Sequence, residues 1–308
     1  MTKNKVAYLI FRIVLLMFII AALDFTSGKI LEYYYFKQNS GLQYRTTYSM
    51  DTAKTDILVF GSSRANHHYV PEFFGGDTMS FYNTGRDANY ILYNTAVLKS
   101  VLKRYTPTLV ILDFDVTYLN KRQENYDRLS SLLPYYKSHE EIREIVETRS
   151  PYEKIKLMSY TYPFNSMILT IAAGNMETNK ERKQDDRGYV AFRGKWPKDL
   201  DTMVFREVID DTLVRAFESF VTSAKNAGSQ LVVVVSPLFY KYEQTKSIEI
   251  AKQVCEKHGV QFLDYSHDST FLSDRNLFDD LAHMNDDGAR IFSKMLSKKL
   301  IVKKKTGL

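Results

Sequence analysis

Apolar residues occur in short, nearly uninterrupted runs along the chain after residue 55. Such runs are typical of strands buried on both faces of a sheet, as in parallel sheets, and polar or glycine-rich segments follow them. The strongest run is "QLVVVVSP", and "TLVILDFD" is nearly as apolar. The predicted strands cover residues 57–60, 79–82, 108–115, 230–237 and 260–266.

Between these runs, apolar residues recur at the three- and four-residue spacing of amphipathic helices. Gly228 and Gly259 follow two of these segments, in the position of a C-cap glycine. The predicted helices cover residues 89–103, 205–224, 248–258 and 289–300. Strands that alternate with helices predict an α/β fold, a three-layer doubly wound parallel sheet with helices on both faces.

Residues 116–204 break this alternation and are rich in aromatic and helix-forming residues. We expect this block to be a helical insertion above the C-terminal ends of the strands, where open α/β sheets bind ligands. Within it, the polar run 176–188 predicts a surface loop.

The run 6–23 holds eighteen residues with a single charge, Arg12. This is close to the minimum length of a transmembrane helix. A cleaved signal peptide is one alternative, but the small residues 21–22 form no clear cleavage site. A buried core helix is the other, and Arg12 is compatible with it. We expect an uncleaved anchor.

Lys3 and Lys5 precede the apolar run, so the positive-inside rule predicts a single-pass protein with a cytoplasmic N-terminus. The rest of the chain is then periplasmic or extracellular. Residues 24–50 are tyrosine-rich, as expected of an interfacial stem. The predicted organisation is an anchor and stem over 1–50 and one domain over 51–308.

The composition of the chain limits which partners and cofactors it can bind. The chain has 308 residues and a net charge of +6, with the basic excess near its two ends. No basic stripe with interleaved aromatic residues occurs in between, so we expect no nucleic-acid partner. A single cysteine, Cys255, excludes a disulfide within the chain and a cysteine-based metal site. We predict neither a metal nor a cofactor.

The segment "DILVFGSSRANHHY", residues 56–69, combines a strand exit with chemically capable side chains. Ser63 stands two residues after Gly61, so a tight turn would present its hydroxyl and its own N–H to the crevice, as in a nucleophile elbow. The second glycine of that motif is absent, and an ordinary turn is the alternative.

A general base for such a serine is offered by "LFDDLAHMNDDGARIF", residues 277–292. Asp280 and His283 are three residues apart, which in a helical turn places both side chains on one face. The carboxylate would hold one ring nitrogen, and the other would accept the serine proton. Asn285 and the acids after it are typical of a helix start.

Three segments, "GSSR", "YNTGRDAN" and "DDLAHMNDDGARIFS", resemble motif blocks of the SGNH (GDSL-like) hydrolase superfamily, and the resemblance spans about residues 55–300. It implies a flavodoxin-like fold with Ser63 as nucleophile, His283 as base and Asp280 as its partner. It also implies that Gly85 donates to the oxyanion.

One departure from the family concerns the third block, which usually supplies an asparagine after a glycine. Here the strand end reads "ILDFDV", with Asp113 and Asp115. A further oxyanion or substrate donor would then come from Asn83, Asn89 or Arg64. For Arg64, a salt bridge is an equally good interpretation. His67 and His68 are expected to cap a helix or contact a ligand rather than catalyse.

The anchor is a second departure. With it, the chain resembles membrane-anchored alginate O-acetylation and lipoteichoic-acid D-alanylation proteins. This resemblance implies a serine-dependent acyl esterase or O-acyltransferase for a cell-envelope or extracellular polysaccharide. The implied partners are a polysaccharide or acylated glycan, the lipid bilayer and other envelope acylation proteins. The alternative is an inactive SGNH-like glycan-binding or assembly protein.

Overall fold

A five-stranded parallel sheet forms the centre of the protein in a computed structural model that describes residues 3–76, 78–176 and 185–300. The strands are β1 Ile57–Phe60, β2 Phe81–Asn83, β3 Leu109–Asp113, β4 Asp201–Met203, β5 Gln230–Val235, β6 Tyr240–Tyr242 and β7 Gln261–Asp264. The sheet order is β2-β1-β3-β5-β7, while β4 and β6 form a separate parallel pair. This is the 2-1-3-4-5 order of flavodoxin-like doubly wound folds, and it confirms the predicted α/β fold.

Twelve α-helices accompany the strands in the described residues. They are α1 Lys3–Phe36, α2 Gly41–Thr47, α3 Ser63–His68, α4 Ile91–Arg104, α5 Glu124–Asp127, α6 Arg143–Glu147, α7 Glu153–Lys156, α8 Ile168–Asn175, α9 Asp211–Asn226, α10 Lys246–Lys257, α11 Ser269–Leu272 and α12 Asp286–Lys299. Short 3₁₀ turns cover Pro71–Phe73, Arg128–Tyr135, Glu140–Ile142, Tyr162–Met167 and Arg275–Leu277, and Tyr48–Thr52 is a π-helical turn.

The central strands bury both of their faces. Alternate residues such as Leu58 and Val233 pack with α4, α9 and α10. The residues between them, such as Val59 and Val232, pack with α3, α11 and α12. Side chains of a strand alternate between faces, so a uniformly apolar strand requires a helical layer on each side.

The predicted helix over 205–224 starts later than expected. Asp210 is the N-cap residue of α9, and its carboxylate accepts a hydrogen bond from the N–H of Thr212 at 2.9 Å. The apolar residues Phe205 and Ile209 are not helical, although both pack against the core. Their spacing matched a helix because they contact the same core from an irregular segment.

The block 116–204 leaves the C-terminal end of β3 but does not lie mainly above the strand ends. Its 3₁₀ turns Arg128–Tyr135 and Glu140–Ile142 pack against α4, and the segment from Tyr162 through α8 packs along α1. Its last part, residues 190–194, reaches the strand ends. Of the predicted surface loop 176–188, residues 177–184 lie outside the described residues.

Helix α1 is one continuous element with two environments. It is long and apolar enough to cross a membrane, as an anchor or a signal sequence is, with a mean hydropathy of 2.7 and none of the apolar window buried. The predicted stem 24–50 is also largely helical. Tyr35 and Met50, 1% and 0% exposed, belong to the core of the domain.

Candidate active site

Ser63 is the first residue of α3, directly beyond the C-terminal end of β1. The turn between them requires Gly61, whose φ is +150°. A Cβ atom on Gly61 would lie 2.7 Å from the Cβ of Ala65 and 3.0 Å from the carbonyl oxygen of Asp113. Only glycine allows this close approach between β1, α3 and β3. The resulting turn directs the side chain of Ser63 toward the crevice.

Ser63 Oγ lies 2.6 Å from Nε2 of His283, and Nδ1 of His283 lies 2.9 Å from Oδ2 of Asp280. An ionised carboxylate only accepts hydrogen bonds, so Nδ1 carries the proton of the neutral ring. Nε2 is then the acceptor for the hydroxyl of Ser63. The structure therefore brings together the three side chains proposed from the sequence, with the polarity of a Ser-His-Asp triad.

Asp280 and His283 do not lie in a helical turn, as the spacing had suggested. They form a tight loop in which Oδ1 of Asp280 accepts the N–H of Ala282 at 2.7 Å and that of His283 at 2.9 Å. The N–H of Asp279 donates to the carbonyl of His283 at 2.9 Å and closes the loop. An aspartate that satisfies nearby N–H groups in this way favours a turn over a helix.

The loop also sets the charge of the carboxylate. Burial raises the pKa of Asp280, but the hydrogen bond and charge of His283 and the N–H groups of Ala282 and His283 outweigh burial. The net result is a pKa below the ordinary value for aspartate. Asp280 is thus ionised at neutral pH, when His283 needs it to orient the ring.

His68 connects the serine helix to the histidine loop. Its Nε2 accepts the N–H of Met284 at 2.9 Å, so its proton is on Nδ1, which donates to Ser236 Oγ at 2.9 Å. Burial, followed by the charges of His283 and other neighbouring groups, holds the pKa of His68 well below 6.5. The ring is therefore neutral, and it fixes the residue after His283 to the helix that carries Ser63.

His67 forms a wall beside the triad with Phe192 from the insertion. Nδ1 of His67 donates to the carbonyl of Val190 at 2.6 Å, and its ring stacks on Phe192 with centroids 3.7 Å apart. Phe192 meets the ring of His283 edge-on at 5.6 Å. The wall thus contacts the catalytic base candidate directly.

A cavity of about 480 Å³ lies on the other side of this wall, between α2 and α8. Leu42, Ala173 and Phe192 give it an apolar part, and Asp87 and Asn66 give it polar groups. Burial raises the pKa of Asp87, but hydrogen bonds from His67 and Asn66 and the charge of His67 outweigh burial and hold it at about 2. The cavity therefore offers a permanent carboxylate acceptor next to an aromatic ring, a combination that suits a polyhydroxylated ligand.

The expected oxyanion donors of the "YNTGRDAN" segment are engaged elsewhere. The N–H of Gly85 donates to Asn83 Oδ1 at 2.9 Å, and Asn83 Nδ2 donates to the carbonyl of Ala65 at 2.6 Å. Asn89 Nδ2 donates to the carbonyl of Asp87 at 3.0 Å. These bonds fix the loop after β2 against α3, so the structure does not bring these groups to Ser63 as donors.

The side chain of Arg64 is likewise engaged in the protein interior. Its side chain is 2% exposed and lies 3.4 Å from Asp113 and 3.5 Å from Asp115, and it donates to the carbonyl of Phe114 at 2.7 Å. This is the salt bridge that the sequence left open as the alternative. This salt bridge lies at the C-terminal end of β3. The SGNH-like motif that the sequence resembles usually has an asparagine there.

The sequence does not predict the roles of Ser236, Val190 and Phe192. Ser236 could have been found, because it directly follows the most apolar strand and ligands of a parallel sheet bind at the strand ends. Val190 and Phe192 gave no such signal, since their contacts depend on how the insertion returns to the sheet.

No family model matches the chain, and no curated protein matches it by sequence. Among solved structures, the chain is similar to a Bacteroides fragilis NCTC 9343 protein described as a "putative acylhydrolase", with 12% identity and a TM-score of 0.41. The similarity covers 85% of this chain and 97% of that chain.

Proposed function

We propose that the protein is a serine-dependent acyl esterase or O-acyltransferase in which Ser63 is the nucleophile, His283 the general base and Asp280 its orienting partner. The contact of 2.6 Å between Ser63 Oγ and His283 Nε2, with Asp280 on the opposite ring nitrogen, carries this proposal. Such a contact makes a serine nucleophilic at neutral pH.

In the proposed reaction, Ser63 Oγ attacks the carbonyl carbon of an ester and its proton passes to Nε2 of His283. Asp280 stabilises the imidazolium that forms. Collapse of the tetrahedral intermediate breaks the bond to the alcohol, which leaves with the proton from Nε2. The acyl group remains on Ser63 until water or another hydroxyl group, deprotonated by His283, removes it by hydrolysis or transfer.

The oxyanion would be stabilised by main-chain groups at the start of α3. The first N–H groups of an α-helix have no acceptor within the helix, and those of Ser63 and Arg64 are in this position. Donors fixed before the reaction need no rearrangement as charge develops on the oxygen.

We also propose that α1 anchors the protein uncleaved, with its N-terminus in the cytoplasm and the catalytic domain in the periplasm or outside the cell. Its apolar window is fully exposed, and Lys3 and Lys5 stand at its start. The substrate would be an acyl ester on a cell-envelope or extracellular polysaccharide, with other envelope acylation proteins as partners. The resemblance to the SGNH superfamily and the cavity with Asp87 and Phe192 support this substrate class.

A catalytically inactive glycan-binding or assembly protein is the second candidate. The observation that favours it is the engagement of Gly85, Asn83 and Asn89 in structural hydrogen bonds. A scaffold of this kind would keep the cavity and lose transition-state stabilisation.

A fluorophosphonate probe separates the two candidates. The purified full-length protein is treated with the probe, and the modified peptide is identified by mass spectrometry. Covalent modification at Ser63, together with turnover of an acetyl ester, supports the enzyme. An unmodified Ser63 in a folded protein, with a glycan still bound, supports the binding protein.

A further inference from the structure

One turn of the insertion, 159–161, is fixed to α1 at the point where its apolar run ends. Asp24 follows that run directly, and its carboxylate accepts the hydroxyl of Ser159 at 2.6 Å, the N–H of Tyr160 at 2.8 Å and the N–H of Thr161 at 3.1 Å. The hydroxyl of Thr161 donates to the carbonyl of Asp24 at 3.0 Å. In the proposed anchor, this turn lies at the outer surface of the bilayer.

Helix α1 and the insertion are in direct contact beyond Asp24. A Cβ atom on Gly28 would lie 2.4 Å from that of Tyr160, so only glycine allows the two to meet there. The ring of Phe25 packs edge-on against that of Tyr160, with centroids 4.9 Å apart. These contacts fix the face that the insertion presents toward the membrane.

In the segment just before this turn, apolar side chains are exposed and an acidic side chain is buried. Tyr152, Ile155 and Met158 occur every third residue and are 66%, 66% and 76% exposed. Between them, Glu153 is completely buried and Leu157 is 3% exposed. A helical turn that faces water places charge outside and apolar side chains inside, so this outer face suits an apolar environment.

Cationic side chains flank the same face. Lys154 and Lys156 are exposed on α7, and Lys156 also pairs with Glu153 at 3.2 Å. Apolar side chains bordered by lysine are typical of surfaces that enter the interface of a membrane with anionic lipids.

We infer that Tyr152, Ile155 and Met158 form a second membrane contact and insert into the lipid interface beside α1. The inference rests on the proposed anchoring by α1. The partner is the bilayer that α1 spans, because Asp24 and residues 159–161 hold this face at the level where the apolar run ends. This contact would fix the tilt of the domain on the membrane.

Depth-dependent quenching tests this inference with the full-length protein. Cys255, which is 1% exposed, is first replaced by alanine, and Ile155→Cys or Met158→Cys is labelled with an environment-sensitive fluorophore. The protein is reconstituted in vesicles of phosphatidylcholine and phosphatidylglycerol. We expect loss of fluorescence with nitroxide-labelled lipids and protection from aqueous iodide at both positions.

Two further positions make the result decisive. Val204→Cys is the matched control, since Val204 is an apolar residue that is 93% exposed and follows β4. Its label should be quenched by iodide and not by lipid. Leu16→Cys, in the middle of the apolar run, reports on the anchor and should be quenched by deeply placed nitroxides.

If the Leu16→Cys label is quenched by lipid and the Ile155→Cys and Met158→Cys labels by iodide alone, the second contact is overturned and the anchor stands. If the Leu16→Cys label is not quenched by lipid, the anchor itself fails. If the labels at positions 155 and 158 are protected from iodide in vesicles but are not quenched by nitroxide-labelled lipids, a protein partner or a second copy covers this face instead, and the inference is overturned.

Discussion

The hydroxyl of Ser63 and the imidazole of His283 meet at 2.6 Å although 220 positions separate them in the chain. The packing of α3 against α12 maintains this contact. Ser293 in α12 donates to the carbonyl of His68 at 3.0 Å and accepts the N–H of Val70 at 2.9 Å. The first crossover and the last helix of the fold are thus joined by hydrogen bonds close to the contact.

Replacing either member of this pair should abolish acyl-ester turnover. Ser63→Ala removes the nucleophile, and His283→Ala removes its base. Because both act in one step, the double variant should be no worse than either single variant. Hydrolysis of an acetyl ester, measured for all three variants, checks this. Losses that add up in the double variant would show that the two residues do not share a mechanism.

Ser62→Ala is the matched control for the nucleophile. Ser62 is the neighbouring N-cap residue, and its hydroxyl faces that of Tyr118 rather than His283. Its loss should keep fluorophosphonate labelling and cost about 1 kcal/mol of stability or less. Labelling that survives in Ser63→Ala would place the nucleophile elsewhere.

The two adjacent aspartates of "FDDLAH" should differ sharply. Asp280→Asn leaves His283 without a carboxylate on Nδ1 and should lower kcat by a factor on the order of 10² to 10⁴. Asp279 instead accepts the N–H of Gly194 at 2.6 Å, a bond that an asparagine oxygen can also accept. Asp279→Asn should therefore change kcat little. The opposite ranking in steady-state kinetics would show that the triad is misassigned.

His68 should make the stability of the protein dependent on pH. Burial holds its pKa well below 6.5 in the folded state, so only the unfolded chain binds a proton just below pH 6.5. Stability conferred by neutral His68 is therefore complete above pH 6.5 and falls as the pH decreases, by at most about 1.4 kcal/mol per pH unit. His68→Gln keeps a donor and an acceptor but does not titrate, and should remove this slope.

Thermal unfolding of the full-length protein in detergent, measured from pH 7.5 to pH 5, gives the comparison. Ser236→Ala is the control, because it removes the acceptor at Nδ1 but leaves the titrating ring buried. That variant should be less stable at every pH and keep the slope of the wild type. An identical slope in His68→Gln would mean that other groups cause the dependence.

The orientation of the chain is open to a direct test. With an N-terminus in the cytoplasm, protease added to intact spheroplasts should digest the region after residue 24. A cytoplasmic marker protein controls for lysis, and the same digestion after lysis shows that the protein is susceptible. Complete protection of the region in intact spheroplasts would exclude the proposed orientation.

The sequence was sufficient to predict the five strands of the central sheet, because a parallel sheet covered on both faces leaves uniformly apolar runs such as Leu231–Val235. It also indicated Ser63, Asp280 and His283 as a set, since each stands next to an element boundary that the pattern marks. The glycine at position 61 and the N-cap residue Asn285, which accepts the N–H of Gly288 at 3.2 Å, mark two of those boundaries.

Sequence spacing did not reveal which polar groups were already engaged. Gly85 and Asn89 lie in a segment that matched a family motif, but they donate within their own loop, to the side chain of Asn83 and to the carbonyl of Asp87. The start of α9 was also misplaced, because Phe205 and Ile209 reach the core from a segment that is not helical. For α9, tertiary contacts decided what local pattern could not.

The continuity of α1 has a geometric consequence. Beyond the apolar run, its residues 24–36 rise about 20 Å as one rigid rod, at about 1.5 Å per residue. A flexible tether would let the site search a volume that grows with tether length. In the proposed anchor, the continuous helix would hold the site at one distance from the bilayer and in one orientation. One residue inserted within 29–36 would turn the apolar run relative to the domain by about 100°. The distance and orientation of the proposed active site relative to the bilayer would therefore be fixed by α1, and a polysaccharide substrate would have to reach the site at that position.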